Sequence, residues 1–68
     1  MSQATIPIDP EKFLRARNAL FLSQYELARR SGLSRSFVSD IEKERRQPRA
    51  LAARALAEAL GVTVEDLC

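Results

Sequence analysis

Apolar residues recur at intervals of three and four along most of the chain, the period of helices that each bury one face. Phe13, Leu14, the stem of Arg17 and Leu20 set the first buried stripe, over a helix predicted to run to about Phe21. Asp9-Pro10-Glu11 starts it: Asp9 can cap free amides, Pro10 suits the first helical position and Glu11 favours the positive end of the dipole. Ser23 and Glu26 have the spacing of a capping box and open a second helix, which Gly32 ends because glycine takes the left-handed conformation without strain. Ser34 caps a third helix running to about Lys43. After a polar loop, Pro48 suits the first turn of a fourth helix that stops at Gly61. Thr63 and Asp66 resemble one more capping pair, opening a last helical turn with Val64 and Leu67. Residues 1–8 show no helical period and contain Pro7, so they are expected as a flexible arm preceding a domain over 9–68.

The pattern from Gln24 to Lys43 is the informative one. Ala28 is small where a third helix would cross the second, Gly32 makes the turn, and Val38 and Ile41 face inward. The opposite side of the third helix is then polar throughout: Arg35, Ser36, Ser39, Asp40 and Lys43. Two helices joined by so tight a turn form a helix-turn-helix, which presents the N-terminal side chains of its second helix to base edges.

Composition narrows the field. A chain of 68 residues with 46% hydrophobic residues, two glycines and no Trp suits short helices packed through Leu and Ala, an all-α fold near the lower size limit for a single domain. Histidine is absent and the one cysteine is Cys68, which rules out a disulfide framework or a cysteine-based zinc site within one chain and implies neither metal nor cofactor. That thiol is either a bystander or a point of oxidative crosslinking. No nucleophile and base can be named, so an enzyme is not expected. No apolar stretch reaches the roughly 20 residues that span a bilayer, and no signal peptide is visible, which together with cysteine usage points to the cytoplasm.

Net charge is only +2, but its placement is uneven. Between Arg29 and Arg54 eight basic residues stand against three acids, while the remainder carries three basic residues against six acids. A middle at +5 between ends summing to −3 gives one face suited to a polyanion, although solvated helix faces could account for the charge alone.

Residues 22–42, LSQYELARRSGLSRSFVSDIE, and 48–67, PRALAARALAEALGVTVEDL, resemble the phage-repressor-like (Xre/Cro type) helix-turn-helix family. The resemblance implies a compact five-helix DNA-binding domain, a transcriptional regulator, usually dimeric on a palindromic operator. Arg35 and Ser36 match the family's principal base-reading positions; Arg35 has the fork that pairs with guanine O6 and N7, or it contacts phosphate only. Asp40 matches another base-facing position, where it could accept from cytosine N4, orient Arg35 or sit at the groove edge. Gln24 matches a position that contacts phosphate and braces the recognition helix. Ser39, Lys43, Arg45, Arg46 and Arg49 fall where the family holds the DNA backbone; about five neutralised phosphates per subunit imply a log K against log salt slope near −4 to −5. Phe37 matches a ring position expected to pack. Arg17 and Glu42 match a structural ion pair between the first and third helices.

One departure stands out. Glu44 replaces the family's common glycine after the third helix, implying that the helix extends or the loop takes another path, and that Arg45 and Arg46 move with it. Ala50, Ala53, Leu56, Ala57 and Leu60 form the expected core face of the fourth helix. A weak homodimer is expected, with Leu51, Val64 and Leu67 as candidate contacts. The alternative to DNA binding is a protein-interaction module on the same scaffold, such as a coactivator or antitoxin component; RNA binding lacks aromatics arranged for base stacking.

Overall fold

The first three helices each begin where a side chain satisfies their free amides. Asp9 accepts the backbone N–H groups of Glu11 at 2.9 Å and Lys12 at 3.4 Å, so α1 spans Pro10–Ala19. Ser23 accepts from Glu26 N at 3.0 Å while the Glu26 carboxylate accepts from Ser23 N at 2.9 Å, a complete capping box that opens α2, Gln24–Ser31. Ser34 accepts from Phe37 N at 3.0 Å to open α3, Arg35–Glu42. Helix α4, Ala50–Leu60, has Arg49 at its N-cap. The structure, a computed structural model, describes residues 4–68.

Gly32 takes φ 74° at the end of α2, and the following Leu33 N–H donates to Ala28 O at 2.9 Å. The turn therefore redirects the chain within three residues, and α3 starts at once. Helix α2 packs on α3 and α4, and α1 packs on α3 and on the last turn. One apolar cluster unites them, with Phe13 from α1, Leu27 and Ala28 from α2, Val38 and Ile41 from α3, and Leu56, Ala57 and Leu60 from α4. At about 25 cal/mol for each Å² of apolar area removed from water, these side chains are the main stabilising term of so small a domain.

Several expectations need correction. Among the described residues there are four α-helices, not five. Thr63 and Asp66 do cap one another, Asp66 N donating to Thr63 Oγ1 at 3.1 Å and Thr63 N to Asp66 Oδ2 at 3.0 Å. What they open is a single 3₁₀ turn, Glu65–Leu67, because the chain there turns Leu67 into the core and gives its carbonyl to Asp9 N at 2.7 Å. Helix α1 stops two residues early, with Phe21 at φ 56°. Leu14 and Leu20, expected in its buried stripe, are exposed: Leu14 is turned about 100° from buried Phe13, and Leu20 is already the C-cap. Ala50 is exposed as well, whereas Ala53, Leu56, Ala57 and Leu60 are buried.

The expected arm is partly anchored. Residues 1–3 of it lie outside the described residues. Thr5 forms an antiparallel bridge with Arg49, Ile6 N donates to Pro48 O at 2.7 Å, and Ile8, itself buried, donates its N–H to Gln47 Oε1 at 3.0 Å. This pairing holds residues 47–49 against the arm, with Arg49 extended at ψ 173°, so Pro48 is buried ahead of α4 and not in its first turn.

Candidate nucleic-acid interface

With Val38 and Ile41 fully buried, the helical period turns the other side of α3 to solvent. Arg35 and Ser36 stand exposed in its first turn, and Ser39 and Asp40 follow, half-buried. These four residues join Gln24, at the start of α2, and Arg45, in the loop after α3, around one open cleft. The three expected base readers and three of the expected backbone contacts are thus gathered on a single face. Lys43, Arg46 and Arg49 lie outside that cleft. Arg46 and Arg49 line a neighbouring groove with Thr5, Phe37, Gln47 and Ala52. Phe37, half-buried against the core, carries the Arg46 guanidinium 5.1 Å above its ring, a cation–π contact that gives an exposed arginine a preferred position.

The loop that carries these arginines is ordered by an unexpected residue. Glu44 takes φ 59°, and Arg45 N donates to Asp40 O at 2.9 Å, closing the end of α3 as a glycine would. So α3 neither extends nor sends the loop elsewhere; the chain accepts local strain at Glu44 instead.

Charge on this face is unspent. Among the described residues, Arg35, Lys43, Arg45, Arg46 and Arg49 form no ion pair, and neither does Asp40; the exposed pairs Arg15–Glu11 and Arg54–Glu58 lie on α1 and α4. The third pair does structural work. Arg17 Nε donates to Glu42 Oε2 at 2.6 Å and Arg17 Nη2 to Glu42 Oε1 at 3.1 Å, with both side chains largely buried. Gln24 Nε2 adds a third bond to that carboxylate, donating to Oε1 at 2.8 Å. Residue spacing gives no sign of this last contact, because Gln24 and Glu42 sit on different helices and meet only through the turn at Gly32. The groove beside Thr5 was equally invisible in the sequence, where the arm shows no period.

Two carboxylates titrate low. A hydrogen bond from the Ser23 backbone, then one with its hydroxyl and the nearby Arg30 charge, hold Glu26 below the usual carboxylate range. Asp66 is lowered in the same way by the Thr63 backbone and hydroxyl. Both report well-formed caps, not chemistry. Among the described residues no group of His, Cys, Asp and Glu could hold a metal ion, and no helix is long and apolar enough to cross a membrane.

Comparison with known proteins points the same way. A family model described as helix-turn-helix matches residues 14–67. The chain is 40% identical over 55 residues to an uncharacterised HTH-type transcriptional regulator, y4dJ, of Sinorhizobium fredii, covering 81% of this chain and 71% of that protein. It is 44% identical over 46 residues to the immunity repressor protein of Bacillus phage phi105, covering 68% of this chain but only 32% of the repressor. Among solved structures, the restriction-modification controller protein C.AhdI of Aeromonas hydrophila superposes with a TM-score of 0.83 at 34% identity, over 87% of this chain and 89% of that one.

Proposed function

This chain belongs to the helix-turn-helix family of DNA-binding transcriptional regulators, and from that premise we propose that α3 enters the major groove of duplex DNA with Arg35, Ser36 and Asp40 at the base edges. The observation that carries this reading is the open cleft in which those three side chains meet Gln24, Ser39 and Arg45 with no charge neutralised from within. Arg35 supplies two parallel donors for guanine, and Asp40 an acceptor for cytosine N4. Gln24, Ser39, Lys43, Arg45, Arg46 and Arg49 hold the phosphates on either side and fix the register of the helix. Relatives in bacteria and in a bacterial phage suggest the bacterial cytoplasm as the place of action.

A single domain covers little DNA, and tight specific binding normally uses two half-sites about one helical turn apart. We therefore propose a weak homodimer on a palindromic site, with Leu51 and Val64 as contacts. Leu67, expected as a third contact, is buried against α1 and has no surface to offer a second chain.

Selection of bound sequences from a random duplex library, repeated with Arg35→Ala, tests the reading. Loss of preference at one base pair, with the variant folded, supports it. Failure of the unmodified chain to bind any duplex at low salt overturns it and leaves the protein-interaction module in its place.

A further inference from the structure

The bond between Gln24 and Glu42 bears on recognition as well as on folding. A glutamine amide has two unlike ends, and a carboxylate gripped by an arginine only accepts hydrogen bonds. Glu42 therefore decides which end of Gln24 it meets: the Nε2 group, donating at 2.8 Å. The carbonyl of Gln24, on the same planar carbon, is left for the cleft that Gln24 shares with Arg35, Ser36, Ser39, Asp40 and Arg45. Glu42 is itself immobilised by two bonds from Arg17, whose remaining Nη1 donates to Leu22 O at 2.8 Å just before α2. The orientation of Gln24 is thus set before any ligand arrives.

An acceptor in that position matters because phosphates are acceptors too and cannot pair with a carbonyl. The groups in a major groove that donate are the exocyclic amines, adenine N6 and cytosine N4. Resting on the DNA-binding reading above, we infer that Glu42 is a positioning residue for sequence recognition: through Gln24 it aims a carbonyl acceptor at an exocyclic amino group of a base. Gln24 then reads sequence through its carbonyl, while the second Nε2 hydrogen, not used by Glu42, stays available for the backbone contact expected of it, and the pair links the stability of the fold to its specificity.

A double-mutant cycle tests this with Gln24→Ala, Glu42→Gln and the combination, each measured on a selected duplex at a temperature where circular dichroism shows it folded. In the unmodified background Gln24→Ala should weaken binding about tenfold. In the Glu42→Gln background, where the amide can turn either way, the same change should cost under about threefold. Library selection with Glu42→Gln should lose preference at the same base pair as Gln24→Ala, and the identity of that pair separates adenine from cytosine. Should Glu42→Gln not fold, the free unmodified protein still decides: the side-chain amide protons of Gln24 should be resolved and slow to exchange, unlike a freely rotating amide. Additive losses, an unchanged sequence preference in Glu42→Gln, or a Gln24 amide exchanging like a free one would overturn the proposal while leaving DNA binding intact. Absence of salt-dependent duplex binding by the unmodified chain would overturn the underlying reading and this inference with it.

Discussion

Arg17 and Glu42 lock α1 to the last residue of α3 through two hydrogen bonds on one carboxylate, at 2.6 and 3.1 Å. Their side chains are only 14% and 12% exposed, so each ion has given up most of its water in exchange for the other. Deleting one partner strands the second. Arg17→Ala or Glu42→Ala should each lower the unfolding free energy by about 3 to 5 kcal/mol, read from urea denaturation. The apolar pair Arg17→Met with Glu42→Leu should lose far less, since neither charge is left alone. Single-variant losses below about 1 kcal/mol would mean the pair behaves as a surface one.

Two residues at positive φ invite the opposite experiment. Glu44, at φ 59°, closes α3, and Phe21, at φ 56° and 92% exposed, closes α1. A side chain costs roughly 1 to 2 kcal/mol in that conformation, and glycine returns part of the gain by loosening the unfolded chain by roughly 0.5 to 1 kcal/mol. Glu44→Gly and Phe21→Gly should therefore each stabilise by about 0.5 to 1 kcal/mol and raise Tm. Glu44→Ala separates geometry from charge: it also removes the acid but should not raise Tm.

These strained ends show where sequence reasoning reaches its limit. Capping is written in adjacent residues, so Asp9, Ser23 with Glu26, Gly32 and Ser34 were all legible and bound α1, α2 and α3 closely. The outward face of α3 followed from Val38 and Ile41 by period alone. The Arg17–Glu42 pair came by resemblance, because no spacing rule joins residues 25 apart. What stayed hidden depends on packing in space. Leu14 and Leu67 look alike as apolar residues in a helical pattern, yet the first lies on the outer side of α1 and the second beneath it. The arm lacked any period because its order comes from pairing with residues 47–49, distant in the chain.

The low-titrating caps predict a definite acid response. Glu26 is lowered in the folded state, first by the Ser23 backbone hydrogen bond, so the stability it lends is present above the ordinary carboxylate range. That contribution fades as pH falls through this range toward the lower folded value. Urea midpoints followed between about pH 3 and 6 should fall less steeply in Glu26→Gln, which keeps an acceptor for the Ser23 amide but does not titrate. Asp66→Asn should flatten the curve further, as Asp66 is lowered by the Thr63 backbone in the same sense.

Leu51 and Leu67 should respond in opposite ways if two chains meet on DNA. Leu51 is 83% exposed on α4, and Leu67 is 1% exposed. Leu51→Glu should leave Tm nearly unchanged while sedimentation on a palindromic duplex changes from two chains to one. Leu67→Ala should instead cost about 2 to 5 kcal/mol of stability by opening a cavity under α1. A Leu51→Glu protein that still binds as a pair places the contact elsewhere.

Salt dependence distinguishes an arginine that reads a base from one that holds a phosphate. Arg35 and Arg45 line the same cleft, but Arg35 projects from the first turn of α3, whereas Arg45 follows its C-terminal cap, held by its own N–H on Asp40 O at 2.9 Å. A phosphate contact releases counterions whatever the sequence, so Arg45→Ala should weaken all duplexes alike and make the log K against log salt slope shallower by about 0.9. Arg46→Ala and Arg49→Ala should behave in the same manner. Arg35→Ala should cost about 1 to 3 kcal/mol on the preferred duplex and much less on a random one, because a lost bidentate contact to guanine matters only where guanine stands. If Arg35→Ala shifts the slope without changing preference, Arg35 belongs with the phosphate contacts, and Asp40 and Ser36 carry the readout from α3.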